Sequence, residues 1–234
     1  MLYLHGGGYV QGVPEQFGSI IKDFIETVPC IIVAPDYRKA VESPYPAAFN
    51  DCYDTLLWIR DNAASIGGRT DRFIVSGHSA GGGLAAAVSL KATDTDDARI
   101  AFQMPLYPMI DDRRNSASAV LEDAPVWDEQ ANRLAWSRYL DGVKHVTPYA
   151  AAARCTDYTK LPPTITYVGS LEPFRDEAKI YVENLRRANV PAEFEVFDGA
   201  FHAFDVIVPG APISRRANRF LMENFRKFAQ RYFP

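Results

Sequence analysis

The sequence predicts an α/β fold, with a mostly parallel central sheet and helices on both faces, in one domain spanning residues 1–234. Three observations predict it. Short apolar runs alternate along the chain with segments of helical spacing, as a parallel sheet and its crossover helices require. Several of the strand-like runs are continuously apolar, which fits a sheet covered on both sides. Finally, Gly7, Ser79, Glu172 and His202 all fall just after predicted strands, at the carboxyl ends where such sheets bind ligands.

Leu2-Tyr3-Leu4 reads as a strand already under way at residue 1, so the chain is expected to be N-terminally shortened for a domain of this type. It delivers His5-Gly6-Gly7-Gly8-Tyr9. Phe17 to Thr27 has helical spacing. Cys30-Ile31-Ile32-Val33-Ala34-Pro35 reads as a buried parallel strand ended by Asp36-Tyr37-Arg38, with a loop at Pro44-Tyr45-Pro46. Phe49 to Asn62 is amphipathic. Phe73 to Val75 predicts a strand and Gly82 to Val88 a helix of small residues. Arg99 to Tyr107 gives another apolar run, which Pro105 and Pro108 are expected to stop.

Residues 111–150 are polar and weakly periodic except near Trp127 to Leu140. They predict a partial helical cap above the sheet, in which Trp127, Trp136 and Tyr139 either line a pocket or pack internally. Pro163 to Gly169 predicts a strand, Asp176 to Ala188 a helix, and Ala192 to Phe197 a strand running on to Asp198-Gly199-Ala200-Phe201-His202. Ala217 to Phe233 closes the chain as an amphipathic helix.

A chain of 234 residues that is 47% hydrophobic can bury a full core. A net charge of −4 gives no electrostatic case for nucleic acid or an anionic membrane surface. No apolar run nears the ~20 residues needed to span a bilayer, and no basic, then apolar, signal peptide opens the chain. Cys30, Cys52 and Cys155 are scattered without metal-ligand spacing, so we expect reduced thiols, no metal and a cytoplasmic location.

The chemistry centres on Gly77-x-Ser79-x-Gly81 between a strand and a helix, the pattern of a nucleophile elbow. Such a turn pushes the serine side chain into the open, and the following helix aims free N–H groups at negative charge forming beside it. A serine hydroxyl needs a base. His78 abuts Ser79 and should diverge from it, His5 is placed to orient the glycine loop, and His145 lies in the polar excursion. His202 follows the last strand and comes after the serine, as the base should.

The acid should lie between them in sequence. Glu172, just past a strand, is best placed, with Asp176 and Asp198 as rivals. His5-Gly6-Gly7-Gly8 offers unobstructed backbone N–H groups to an oxyanion, and Ala80 N–H offers another. The glycines match neither GxGxxG nor GxxxxGK, against a nucleotide loop.

His5-Gly6-Gly7-Gly8, Asp36-Tyr37-Arg38, Gly77-His78-Ser79-Ala80-Gly81-Gly82, Glu172-Pro173-Phe174-Arg175-Asp176-Glu177 and Phe201-His202-Ala203-Phe204 together resemble the hormone-sensitive-lipase-like carboxylesterases. They stand in the order found there, and the resemblance covers essentially the whole chain. It implies an α/β-hydrolase fold, no cofactor, and hydrolysis of small-molecule carboxylic esters with short to medium acyl chains through an acyl-enzyme. It further implies Ser79 as nucleophile, His202 as base, Glu172 as acid, and Gly7 and Gly8 beside Ala80 as oxyanion donors.

Three departures stand out. His78 occupies a position that is usually Asp in that family, Glu172 one that is more often Asp, and the segment usual before the glycine loop, with its two strands, does not precede His5. The apolar strand from Ile31 to Ala34 is then expected at a sheet edge, covered by a helix or paired across a homodimer. An amide or aryl-formamide substrate on the same machinery, or a non-catalytic binding protein on the same fold, are the alternative expectations.

Overall fold

The computed structural model describes residues 1–233. The strands are β1 (Leu2–Leu4), β2 (Phe73–His78), β3 (Ile100–Leu106), β4 (Thr164–Leu171) and β5 (Ala192–Phe201). The main helices are α1 (Gly18–Thr27), α2 (Ala47–Asn62), α3 (Ala80–Thr95), α4 (Glu129–Tyr139), α5 (Arg175–Arg187), the short α6 (Phe204–Ile207) and α7 (Pro212–Tyr232). The strands form a single sheet in the order β1-β2-β3-β4-β5, every neighbouring pair parallel. All strand ends that carry chemistry therefore open on one rim.

Covering the sheet on both faces explains the continuous apolar strands. On one face Tyr3 meets Phe17 and Phe24, and Phe24 and Phe102 both pack against Phe225 of α7. On the other, α3 is buried along nearly its whole length, from Ala80 to Leu90. Its run of Gly and Ala lets the helix lie close to the sheet. Leu90 and Ala86 of α3 share a second apolar cluster with Tyr181 and Leu185 of α5.

The structure corrects three sequence expectations. Ile31 to Ala34 is not a full strand: Leu2 and Val33 form one isolated parallel bridge, closed by Tyr3 N–H to Val33 O and Val33 N–H to Met1 O, both 2.9 Å. Pro29 and Pro35 bracket the segment, and Tyr37 is drawn inward to donate its hydroxyl to His5 O at 2.7 Å. Ile31 is partly exposed and lines an apolar groove of about 850 Å³ with Val28, Val33, Ile66 and Phe233.

Pro105 does not stop β3, which runs on to Leu106 with Pro105 opposite Gly77. The lost N–H removes one ladder donor, while the Pro105 carbonyl still accepts the Thr166 hydroxyl. Finally, β5 extends four residues beyond Phe197, with Phe201 paired to Leu171, so His202 emerges directly from a strand.

Within 111–150 the helix α4 is accompanied by a 3-10 turn, Ser118–Val120, and otherwise irregular chain. Trp136 and Tyr139 are buried against Tyr9 and serve packing. Trp127 sits elsewhere, over the glycine loop. Among the described residues no helix is long and apolar enough to cross a membrane.

Candidate active site

Ser79 links β2 to α3 with φ 57° and ψ −119°, a conformation that costs a non-glycine residue about 1–3 kcal/mol. The neighbours hold it there. Ser79 N–H donates to Leu106 O at 2.9 Å, and Ser79 O accepts from Gly83 N–H and Met109 N–H at 2.9 and 3.0 Å. Only glycine fits on either side: a Cβ on Gly77 would overlap Gly81 O, and one on Gly81 would overlap the carbonyls of Leu4 and His5. These close approaches press the start of α3 onto the end of β1, beside the glycine loop.

The serine side chain meets His202. Its Oγ lies 2.9 Å from His202 Nε2, and His202 Nδ1 lies 2.6 Å from Glu172 Oε2. An ionised carboxylate can only accept, so the Nδ1 proton points to Glu172 and Nε2 is left bare to accept the serine proton. Glu172 is fully buried, and its other oxygen accepts Gly169 N–H at 2.7 Å, which fixes the carboxylate. His202 is held between Tyr107 and Phe174, each edge-on at 5.0 Å between ring centroids, with Trp127 at 6.2 Å.

The rivals for the acid are engaged elsewhere. Asp176 accepts Ser118 N–H at 2.8 Å and pairs with Arg175, which holds its carboxyl below the usual range. Asp198 accepts the Ser170 hydroxyl on the surface.

The glycine loop lies against Ser79: a Cβ on Gly6 would sit 3.4 Å from Ser79 Cβ. Gly7 and Gly8 have φ of 127° and 61°, and Gly7 O accepts Val10 N–H and Gln11 N–H, both at 3.1 Å. Ala80 is the first residue of α3, so its N–H has no intrahelical acceptor. His5 braces the loop. Its Nδ1 is 2.8 Å from Gly6 O, its ring stacks on Tyr37 at 4.1 Å, and burial lowers its pKa. The Asp36-Tyr37-Arg38 motif thus supports the loop from behind.

Trp127 rests on Gly8 so closely that a Cβ there would overlap the indole. His145 takes no part in these contacts, and Cys30, Cys52 and Cys155 are free thiols. Among the described residues no group of three or more His, Cys, Asp or Glu stands ready to hold a metal ion.

Residues 1–206 match a family model described as the alpha/beta hydrolase fold. The chain belongs to the α/β-hydrolase family. The hydrolase is 33% identical over 208 residues to esterase LipI of Mycobacterium tuberculosis (strain ATCC 25618 / H37Rv), which covers 87% of this chain and 65% of LipI. It is 31% identical over 221 residues to carboxylesterase NlhH of Mycobacterium tuberculosis (strain CDC 1551 / Oshkosh), covering 90% and 69%. It thus spans roughly two-thirds of these relatives' lengths. Among solved structures it is similar to a bacterial heroin esterase, with TM-score 0.91 and 35% identity over 97% of this chain and 74% of that one. Esterase LipW from Mycobacterium marinum gives 0.92 and 32% over 97% and 72%.

Sequence reasoning missed two parts of this α/β-hydrolase's site. Phe174, inside the Glu172-Pro173-Phe174 motif, forms a wall for His202. Tyr3, Tyr167 and Asp205 form a buried polar group behind Ser79. Both tyrosines sit in apolar strand runs, where an aromatic side chain reads as core and its hydroxyl carries no pattern.

Proposed function

We propose that this chain is a serine carboxylesterase acting on small-molecule esters of short to medium acyl length. The observation that carries the reading is the continuous contact from Ser79 Oγ through His202 to Glu172, at 2.9 and 2.6 Å. Ser79 Oγ attacks the ester carbonyl while its proton passes to His202 Nε2, and Glu172 stabilises the imidazolium. The oxyanion is met by the N–H groups of Gly7, Gly8 and Ala80, each worth about 3–4 kcal/mol in the transition state. The tetrahedral intermediate expels the alcohol, which takes the proton from His202, and leaves Ser79 acylated. Water, deprotonated by the same nitrogen, then releases the acid.

The esterases among its relatives and structural neighbours support the same reading. Residues 111–150 would act as the cap, with Trp127 and Phe174 bounding the acyl or alcohol side of the site. We further propose a cytoplasmic protein, tested by cell fractionation. Pairing of the partly exposed Ile31–Ala34 edge across a homodimer is our proposal for its assembly; a monomer in light scattering overturns it.

The test is hydrolysis of p-nitrophenyl esters, acetate through decanoate, by the wild-type chain and Ser79→Ala. We expect activity on the short esters that falls at least about 10⁴-fold in the variant. A folded wild-type chain inert on every ester overturns the reading. Fluorophosphonate labelling of Ser79 would then separate an amide hydrolase, which reacts, from a binding protein, which does not.

A further inference from the structure

Directly behind the nucleophile runs a second polar chain. The Tyr3 hydroxyl lies 2.8 Å from His78 Nδ1, His78 Nε2 faces Asp205 Oδ2 at 4.0 Å, and the Tyr167 hydroxyl donates to the same Asp205 oxygen at 2.6 Å. All four side chains are buried. A carboxylate facing Nε2 favours the tautomer protonated there, so Nδ1 accepts the Tyr3 hydroxyl and the chain has one consistent direction. Neither His78 Nε2 nor Asp205 Oδ1 has a hydrogen-bond partner, so the approach of Asp205 Oδ2 to 4.0 Å is the polar contact this structure offers His78 Nε2.

What matters is where these residues sit in the chain. Tyr3 lies on β1, which delivers the glycine loop. His78 immediately precedes Ser79. Tyr167 lies on β4, which ends at the Glu172 turn, and Asp205 is three residues after His202. Each strand end that brings a part of the site thus contributes one member. The Tyr107 ring stands edge-on among His78, Tyr167 and His202, at 5.4, 5.6 and 5.0 Å. Asp205 also lines a cavity of about 360 Å³ that Ser79 does not line, where Asp23, Arg215 and Arg219 are the charged neighbours.

We propose that Asp205 and His78 are positioning residues for the reaction at Ser79, with Tyr3 and Tyr167 as their anchors. Asp205 ties the His202 loop both to the strand carrying Glu172 and to the residue before the nucleophile. His78 stands where the resembling esterases usually carry an Asp, and Asp205 turns its carboxylate toward the imidazole that replaces it, 4.0 Å from Nε2. Neither residue touches reacting atoms. Their effect is to keep Ser79 Oγ, His202 and Glu172 in register, and a misplacement of about 1 Å there costs up to ~10²-fold in rate.

The inference rests on the esterase reading. Its test is steady-state hydrolysis of p-nitrophenyl acetate by wild type, Asp205→Asn, His78→Asn and the double variant. We expect Asp205→Asn to lower kcat at least about 10-fold, with KM within about 2-fold, at a temperature where the variant is fully folded. His78→Asn should do the same, and the double variant should lose no more than the worse single one, because the two act as a unit. Wild-type kcat in Asp205→Asn, or losses that multiply in the double variant, overturns the inference.

Should Asp205→Asn fail to fold, Tyr167→Phe keeps the ring and removes only the anchoring hydroxyl. A several-fold fall in its kcat at unchanged KM supports the inference, and wild-type kcat overturns it. An inert wild-type chain defeats the esterase reading and this inference together, whereas an active wild type with an equally active Asp205→Asn defeats only this one.

Discussion

At the scale of single residues, the proposed triad turns on how the longer side chain of Glu172 is held. Glu172 carries one methylene more than the Asp usual in the resembling esterases, yet both its oxygens are engaged, one by His202 and one by Gly169 N–H. Glu172→Asp would draw the carboxylate back from one of these partners. We expect kcat/KM to fall about 10–100-fold with the fold intact, and Glu172→Gln to cost about 10⁴-fold by disturbing the His202 tautomer; p-nitrophenyl acetate kinetics checks both. Ser79, His202 and Glu172 were legible in the sequence because each follows a predicted strand and their order is constrained. Asp205 was not legible, although it lies three residues past His202. Its role depends on Tyr167 and His78, which only the tertiary fold brings near it.

At the scale of elements, small residues and aromatic rings do different work on the two faces of the sheet. The Gly and Ala run of α3 could be read directly as a helix lying close to its neighbours. Opposite it, Phe225 of α7 is fully buried between Phe24 and Phe102. Phe225→Ala should destabilise the protein by about 3–5 kcal/mol, seen as a lower midpoint in urea, because it removes the ring that joins α1 and α7 to the sheet. Elements were misjudged where local pattern competed with pairing. Ile31 to Ala34 has the composition of a central strand, but a strand needs partners, and β1 offers it a single bridge. Pro105 reads as a stop, yet the pairing with β2 carries the strand one residue further.

At the scale of the whole molecule, buried imidazoles shape the response to acid. Burial pushes the His78 pKa down to about 3, with His202 adding repulsion. Below about 6.5 the unfolded chain takes up a proton there that the folded chain refuses, so stability falls as pH drops from 6.5 toward 3. Each unit of that gap is worth about 1.4 kcal/mol. The carboxyls of Asp205 and Glu177, which burial pushes up, act in the opposite sense, so wild type is compared with a variant that keeps both carboxyls and lacks the imidazole. We expect the loss of stability between pH 7 and pH 4, measured by denaturant unfolding, to be smaller in His78→Asn than in wild type. Equal losses would show that His78 does not titrate in this way.

The position of Trp127 has an optical consequence. Its indole lies against Gly8, with its ring centre 6.2 Å from that of His202, whereas Trp136 is buried against Tyr9 and Trp58 is half exposed on α2. One of the three tryptophans is therefore an intrinsic fluorophore seated beside the glycine loop and His202, so occupancy of that space would change its emission without any added dye.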